Sequence, residues 1–132
     1  MRTIGEKVQG VILSTGLTIA SGASATSELQ VTGFLPLFVH IGAGWTAANL
    51  GLKARPIGST TGRVVYDNTG SANPMQISGI NTTIGGCYHW PSSPGLEGLN
   101  FVTFYKKSAT AATTSAVTQT GGAVKIWVEG LG

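Results

Sequence analysis

His40, Cys87 and His89 are the side chains in this sequence with the chemistry of soft metal ligands. Cys87 and His89 stand two residues apart, so on a strand they project from one face, and His40 alone can add a third donor. A structural zinc site is closed by four protein ligands, so these three do not complete one. The simpler expectation is a small thiol and two histidines satisfied by backbone or water, with no metal and no cofactor. Nucleophilic catalysis finds no better support. A Ser-His-Asp triad is defined by geometry and not by sequence position, and Asp67 is the single aspartate. Asp67 opens Asp67-Asn68-Thr69-Gly70, a turn signature that accounts for it.

Other catalytic patterns are missing as well. There is no G-x-S-x-G elbow. Paired carboxylates would have to come from Glu6, Glu28, Asp67, Glu97 and Glu129, most of which fall at chain ends or turns, and nothing in their spacing brings two together. Gly85-Gly86 and Gly121-Gly122 lack the lysine and the strand-to-helix context of a phosphate loop. The chain reads as a protein without enzymatic activity.

The aromatic residues point to surfaces instead. Trp45, Tyr88, Trp90 and Trp127 offer ring faces that could line a sugar-binding surface or anchor a subunit interface, where aromatics are enriched. Trp127 is out of phase with Val124, Ile126 and Val128, which places it on the opposite, solvent-facing side of its strand. The interface reading is the stronger one, because the chain carries few charges with which to coat a free surface. Trp45, Trp90 and Trp127 are therefore candidate interface residues, together with Ile4, Val8 and Val11 near the N-terminus.

These side chains must be held by strands. The organising stretch is Phe34 to Pro56, read as two apolar strands, Leu35 to Ile41 and Asn49 to Arg55, joined by a Gly- and Ala-rich connection carrying Trp45. Leu50, Leu52 and Ala54 alternate with Gly51, Lys53 and Arg55, the period of a strand with one buried face. Leu35, Leu37 and Val39 against Phe38 and His40 make the first strand apolar on both faces, as expected of a strand central to a sandwich. Trp45 is expected to close one end of the core. Further strands follow at Leu17 to Ala20, Glu28 to Thr32, Gly62 to Tyr66, Met75 to Ile77, Cys87 to Trp90, Asn100 to Lys106 and Ala123 to Val128. The Gly62 strand returns from Asn49 to Arg55 as a hairpin, and Phe101, Thr103 and Tyr105 alternate with Val102 and Phe104. Short strands separated by turns indicate a sandwich or barrel.

The totals agree. With 132 residues there is room for one domain with a real core. Gly is abundant (20 residues) and charge is sparse (10%), a profile of turns and β-branched strands with no helical run at 3.6 spacing. The net charge of +3 is scattered, with no basic run longer than Lys106-Lys107, which argues against nucleic acid. A single cysteine excludes an internal disulfide. At the N-terminus, Arg2 and Lys7 precede an apolar run, and Ala23-Ser24-Ala25 has the form of a signal-peptidase site. Glu6 and the interruption at Ser14-Thr15-Gly16 weigh against that, and no uninterrupted stretch reaches transmembrane length. Residues 1–12 are read as an arm lying on this domain or a neighbour, and 13–132 as the β-sandwich.

The order of motifs carries a resemblance. ASGAS, an apolar strand, WTAANL, VYDNTG, PSSPGLEGLNFVTFYKKSATAATT and a closing AVKIWV together resemble a family of small structural proteins of tailed bacteriophages, over roughly residues 17–131. Lys106-Lys107-Ser108-Ala109-Thr110 replaces the family's usual Ser-Gly-Thr turn, and Lys53-Ala54-Arg55-Pro56-Ile57-Gly58 replaces its usual hairpin. The resemblance implies a virion component made in the host cytoplasm, on the head or near the neck. The expectation is an all-β, single-domain, jelly-roll-like sandwich that decorates and cements the capsid. Its partners would be the major capsid protein or other virion proteins, with no contact with nucleic acid or membrane, and the sparse charge by itself points to self-association around an axis, as a trimer. A tail-, neck- or fibre-associated module recognising a host glycan is the alternative.

Overall fold

Alternation along Val124–Leu131 sets the inside and the outside of the domain. Val124, Ile126 and Val128 are buried, while Lys125, Trp127 and Glu129 between them are exposed. A strand that hides one face needs a second layer to hide it against, and two layers of strands supply it here. The computed structural model describes residues 12–66, 73–90, 99–110 and 112–131. Among these residues there is no helix.

Nine strands are present among the described residues: β1 (Ile12–Ile19), β2 (Leu29–Gln30), β3 (Leu35–Ile41), β4 (Asn49–Arg55), β5 (Arg63–Val64), β6 (Gln76–Ile77), β7 (Gly86–His89), β8 (Phe101–Lys107) and β9 (Val124–Leu131). One sheet has the order β1-β9-β3-β7, the other β2-β8-β4-β5, with β6 added beside β4. Every pairing is antiparallel. The partnership is nested: first strand with last, β2 with β8, β3 with β7, β4 with β5. A long antiparallel ribbon paired in this way and rolled up gives the double Greek key of a jelly roll. The fold is an all-β, single-domain sandwich, as the strand spacing indicates.

The core lies between the layers. Ile19, Val39, Ile126 and Val128 of the first sheet meet Leu50, Leu52, Val102 and Phe104 of the second, all with no exposure. Each such side chain contributes about 1.5–3 kcal/mol relative to an exposed one. Trp90 stacks on Phe104 with ring centroids 6.0 Å apart. Trp45 closes one end from the β3–β4 crossover, where its indole N–H donates to the Ala48 carbonyl at 3.0 Å.

β3 and β4 fall on the bounds read from the sequence, β3 from its apolar run and β4 from its alternation, and β4 forms its hairpin with β5. β1 begins earlier than its apolar run implies. Ser14, Thr15 and Gly16, which interrupt that run, are held in the strand by pairing with Glu129, Val128 and Trp127. Ile12, assigned to the arm, is thus already strand, while Ile4, Val8 and Val11 lie outside the described residues. So do the Asp67-Asn68-Thr69-Gly70 turn and residues 91–98. β3 is central within its sheet, yet its second apolar side is not covered, because a two-layer sandwich buries only one face of each sheet. Phe38 is 44% exposed there.

Candidate functional site

The outer face of the β1-β9-β3-β7 sheet, which no other described segment covers, gathers most of the residues with functional potential. Register places Gly16, Trp127, His40 and Cys87 side by side in one row across the four strands. Ser14, Glu129, Phe38 and His89 form the adjacent row. Lys125 lies beside Thr18 at one end of the face, and Leu131 closes the other. Period-two alternation dictates this: residues opposite one another in antiparallel strands share a face.

Trp127 is the centre of the face. Its ring lies over Gly16, where a Cβ would come within 2.6 Å of it, and its N–H donates to Ser14 Oγ at 2.9 Å. The small residues on β1 thus seat the indole flat while leaving it 47% exposed. Phe38 and Leu131 are exposed to a similar degree. His40 and Glu129 are in direct contact across β3 and β9, a histidine–carboxylate pair open to solvent.

Cys87 Sγ stands 3.8 Å from His40 Nε2. Cysteine, histidine and glutamate side by side invite comparison with a catalytic triad. In a triad the two imidazole nitrogens serve different partners, one the nucleophile and the other the carboxylate. Here Nε2 faces both Cys87 and Glu129, so the ring cannot take a proton from one while being oriented by the other through its second nitrogen. His89 turns its Nδ1 to the Trp90 carbonyl oxygen at 3.2 Å, away from Cys87. Among the described residues no three His, Cys, Asp or Glu side chains are placed to hold a metal ion.

Two interface candidates are corrected by the structure. Trp45 is 2% and Trp90 1% exposed. Both rings fill space between the sheets, so neither presents a face to a glycan or to another subunit. Large aromatic area is most stabilising where both ring faces are packed, and the ends of this sandwich supply such places. Trp127 alone of the three tryptophans is at the surface.

The sequence reading missed the interior polar residues. Lys106 and Lys107 are fully buried. The Lys106 ammonium donates to Gln119 Oε1 and lies 4.4 Å from the Trp45 ring centroid. Burial pushes its pKa down to about 8. Lys107 donates to Gln76 Oε1 and to the carbonyls of Ser108 and Thr110, and burial lowers its pKa too. The signal was present: Val102, Phe104 and Lys106 share one parity, so a strand that buries the first two turns the third inward.

Gln119 sits within a low-complexity loop and is nearly inaccessible. Its amide donates to the carbonyls of Gly44, Thr120 and Gly122, and its oxygen accepts from Thr46 N–H as well as from Lys106. It pins the Trp45 loop to the segment preceding β9.

At the opposite sheet, Arg55 donates two bonds of 2.6 Å to the Glu28 carboxylate, a bidentate pair, and stacks 4.0 Å from the Phe101 ring centroid. The Arg55 guanidinium holds the Glu28 carboxyl below the usual range. A cleft of about 190 Å³ beside it is lined by Ala54, Arg55, Pro56, Leu99 and Asn100. With Arg55 already committed to Glu28 and to the Ser59 carbonyl, the cleft offers a ligand no free cation among the described residues that line it. Comparison with protein-family models, with characterised proteins and with solved structures finds no match to this chain.

Proposed function

We propose that this protein is a structural component of a tailed-bacteriophage virion, one that decorates the capsid and cements neighbouring shell subunits. The observation that carries the proposal is the outer face of the first sheet, where Phe38, Trp127 and Leu131 stand half-exposed on four hydrogen-bonded strands. Aromatic anchors ringed by polar side chains are how protein interfaces are built. The sparse charge of the chain and its jelly-roll topology support the same reading, as does the resemblance of its motif order to that of small phage structural proteins.

In this mechanism the outer face spans a boundary between major capsid protein subunits. Burying it raises shell stability through interface area, and no covalent chemistry is required. The residues preceding β1 would extend the contact along a neighbour. The test is the copy number of the protein in purified virions, measured by quantitative mass spectrometry against the major capsid protein. Numbers comparable to those of the capsid protein agree with cementing. A handful of copies per particle overturns it and favours the neck, tail or fibres.

Glycan recognition by a tail- or fibre-associated module is the second reading, and the exposure of Trp127 is what favours it. With Trp45 and Trp90 in the core, that reading rests on one ring, whose N–H is already engaged by Ser14.

A further inference from the structure

A sheet in an open sandwich ends in two edges, and each edge strand presents a row of backbone donors and acceptors that a neighbouring strand can satisfy. Proteins that stay apart blunt such edges with charge, proline, bulges or brevity. Three of the four edges here are blunted: β2 and β5 have two residues each and β7 four, and β5 begins with Arg63. β1 is different. It runs for eight residues, Ile-Leu-Ser-Thr-Gly-Leu-Thr-Ile, with no charge and no proline. Its pairing with β9 is unbroken from Ile12 with Leu131 to Ile19 with Val124. Among the described residues no backbone group bonds to its other side.

The core is also incomplete along this edge. Leu13 and Leu17 point between the sheets, on the same parity as buried Ile19, yet both remain only half-buried. In the middle of the same sheet Val39 and Val128 are fully covered. What Leu13 and Leu17 lack is a neighbouring strand on the open side.

We propose that β1 pairs with β1 of a second copy of this chain, antiparallel across a twofold axis, joining two four-stranded sheets into one of eight. The occupant is a second copy because the edge is complementary to itself. A twofold axis brings residues near the centre of the strand close to their own copies, which repels if they are charged, and β1 carries no charge. Directly opposed residues must share a face, so the central pairing is of one residue with itself. Centred on Thr15, the register sets threonine against threonine, a favourable cross-strand pair. It also sets Leu13 against Leu17 of the partner subunit, twice by symmetry, covering both half-exposed leucines. The association closes at two copies, where sparse charge alone pointed to three. It does not depend on the shell-binding reading, since a dimer in solution forms whether or not a capsid is the partner.

The test uses the full chain in solution. Sedimentation equilibrium is expected to give twice the mass of one chain for the wild type. Thr15→Lys, which opposes two ammonium groups at the axis, is expected to return the mass to that of one chain, with the β-sheet circular dichroism retained. Gln30→Lys on the short β2 edge is expected to leave the dimer intact. A nitroxide attached to Thr15→Cys in a Cys87→Ser background reads the register independently, through strong dipolar broadening that vanishes on dilution with unlabelled protein. A wild type that sediments as one chain overturns the proposal. So does a dimer whose Thr15 labels show no broadening, because its contact would then lie elsewhere.

Discussion

The ammonium of Lys106 sits 4.4 Å from the centroid of the Trp45 ring, inside the sandwich, with no carboxylate among the described residues in contact with it. The ring face and Gln119 Oε1 are what stabilise the charge. Burial opposes it, which is why the pKa falls from 10.5 to about 8. Between those values the folded chain is neutral at Lys106 while the unfolded chain is protonated. The unfolded state then binds more protons, so stability rises with pH across this window and is flat below it. Urea titrations at pH 7 and pH 10 are expected to show a gain of ~1–3 kcal/mol for the wild type. Lys106→Met is expected to reduce that rise to the part carried by Lys107, whose pKa burial also lowers, and to be the more stable protein at pH 7; equal slopes for the two proteins would refute the assignment.

Gln119 is expected to be the most sensitive residue of its loop. Gln119→Leu leaves the carbonyls of Gly44 and Gly122 without their donor and Lys106 without its acceptor. Loss of partners by buried polar groups costs about 1–3 kcal/mol each, more when one is charged. Chemical denaturation is expected to show a destabilisation of ~2–4 kcal/mol, with neighbouring Thr118→Ala close to neutral as the comparison.

Two glycines make a contrasting pair. A Cβ on Gly51 would meet the Tyr105 ring at 2.5 Å, and Tyr105 is buried with nowhere to go. A Cβ on Gly16 would meet Trp127 at 2.6 Å, but that ring is half-exposed and can swing outward. Gly51→Ala is therefore expected to cost ~1–3 kcal/mol in urea unfolding, the range for overpacking. Gly16→Ala is expected to leave stability within ~0.5 kcal/mol while changing Trp127 fluorescence.

The tryptophans separate folding from attachment. Trp90→Ala removes a buried ring stacked on Phe104 and is expected to destabilise the domain by ~3–5 kcal/mol. Trp127→Ala is expected to leave thermal unfolding nearly unchanged while weakening capture on purified capsid shells at least tenfold, as loss of a central interface anchor does. Undiminished capture by Trp127→Ala would remove the outer face from the shell-binding reading.

At the acid end, the Arg55–Glu28 pair sets a second pH dependence. Arg55 lowers the Glu28 pKa below its ordinary 4.5. The pair's contribution is present above that value and is lost as pH falls through the folded-state pKa. Glu28→Gln is expected to flatten the loss of melting temperature below pH 4.5 relative to the wild type.

The sequence by itself determined where the strands lie, the start of β1 excepted, and which way their side chains alternate. Leu35–Ile41 and Asn49–Arg55 were legible to the residue, the first as a continuous apolar run bounded by glycine-rich segments, the second because burial on one face imposes a period of two. The same rule placed Trp127 outside, opposite Val124, Ile126 and Val128. Only the tertiary structure decided the rest. Strand order is set by which long-range pairings bury the most surface, so the nesting of β1 with β9 and β2 with β8 has no local signature. Trp45 read both as a lid on the core and as a surface anchor, and Trp90 as a surface anchor, since a ring in a loop or at a strand end has no periodicity to orient it; the open ends of the sandwich drew both inward. His40, Cys87, Phe38 and Glu129, scattered along the chain, become neighbours only when β3, β7 and β9 align. A strand records which face a residue is on, while its neighbours on that face are chosen by the packing of the whole sheet.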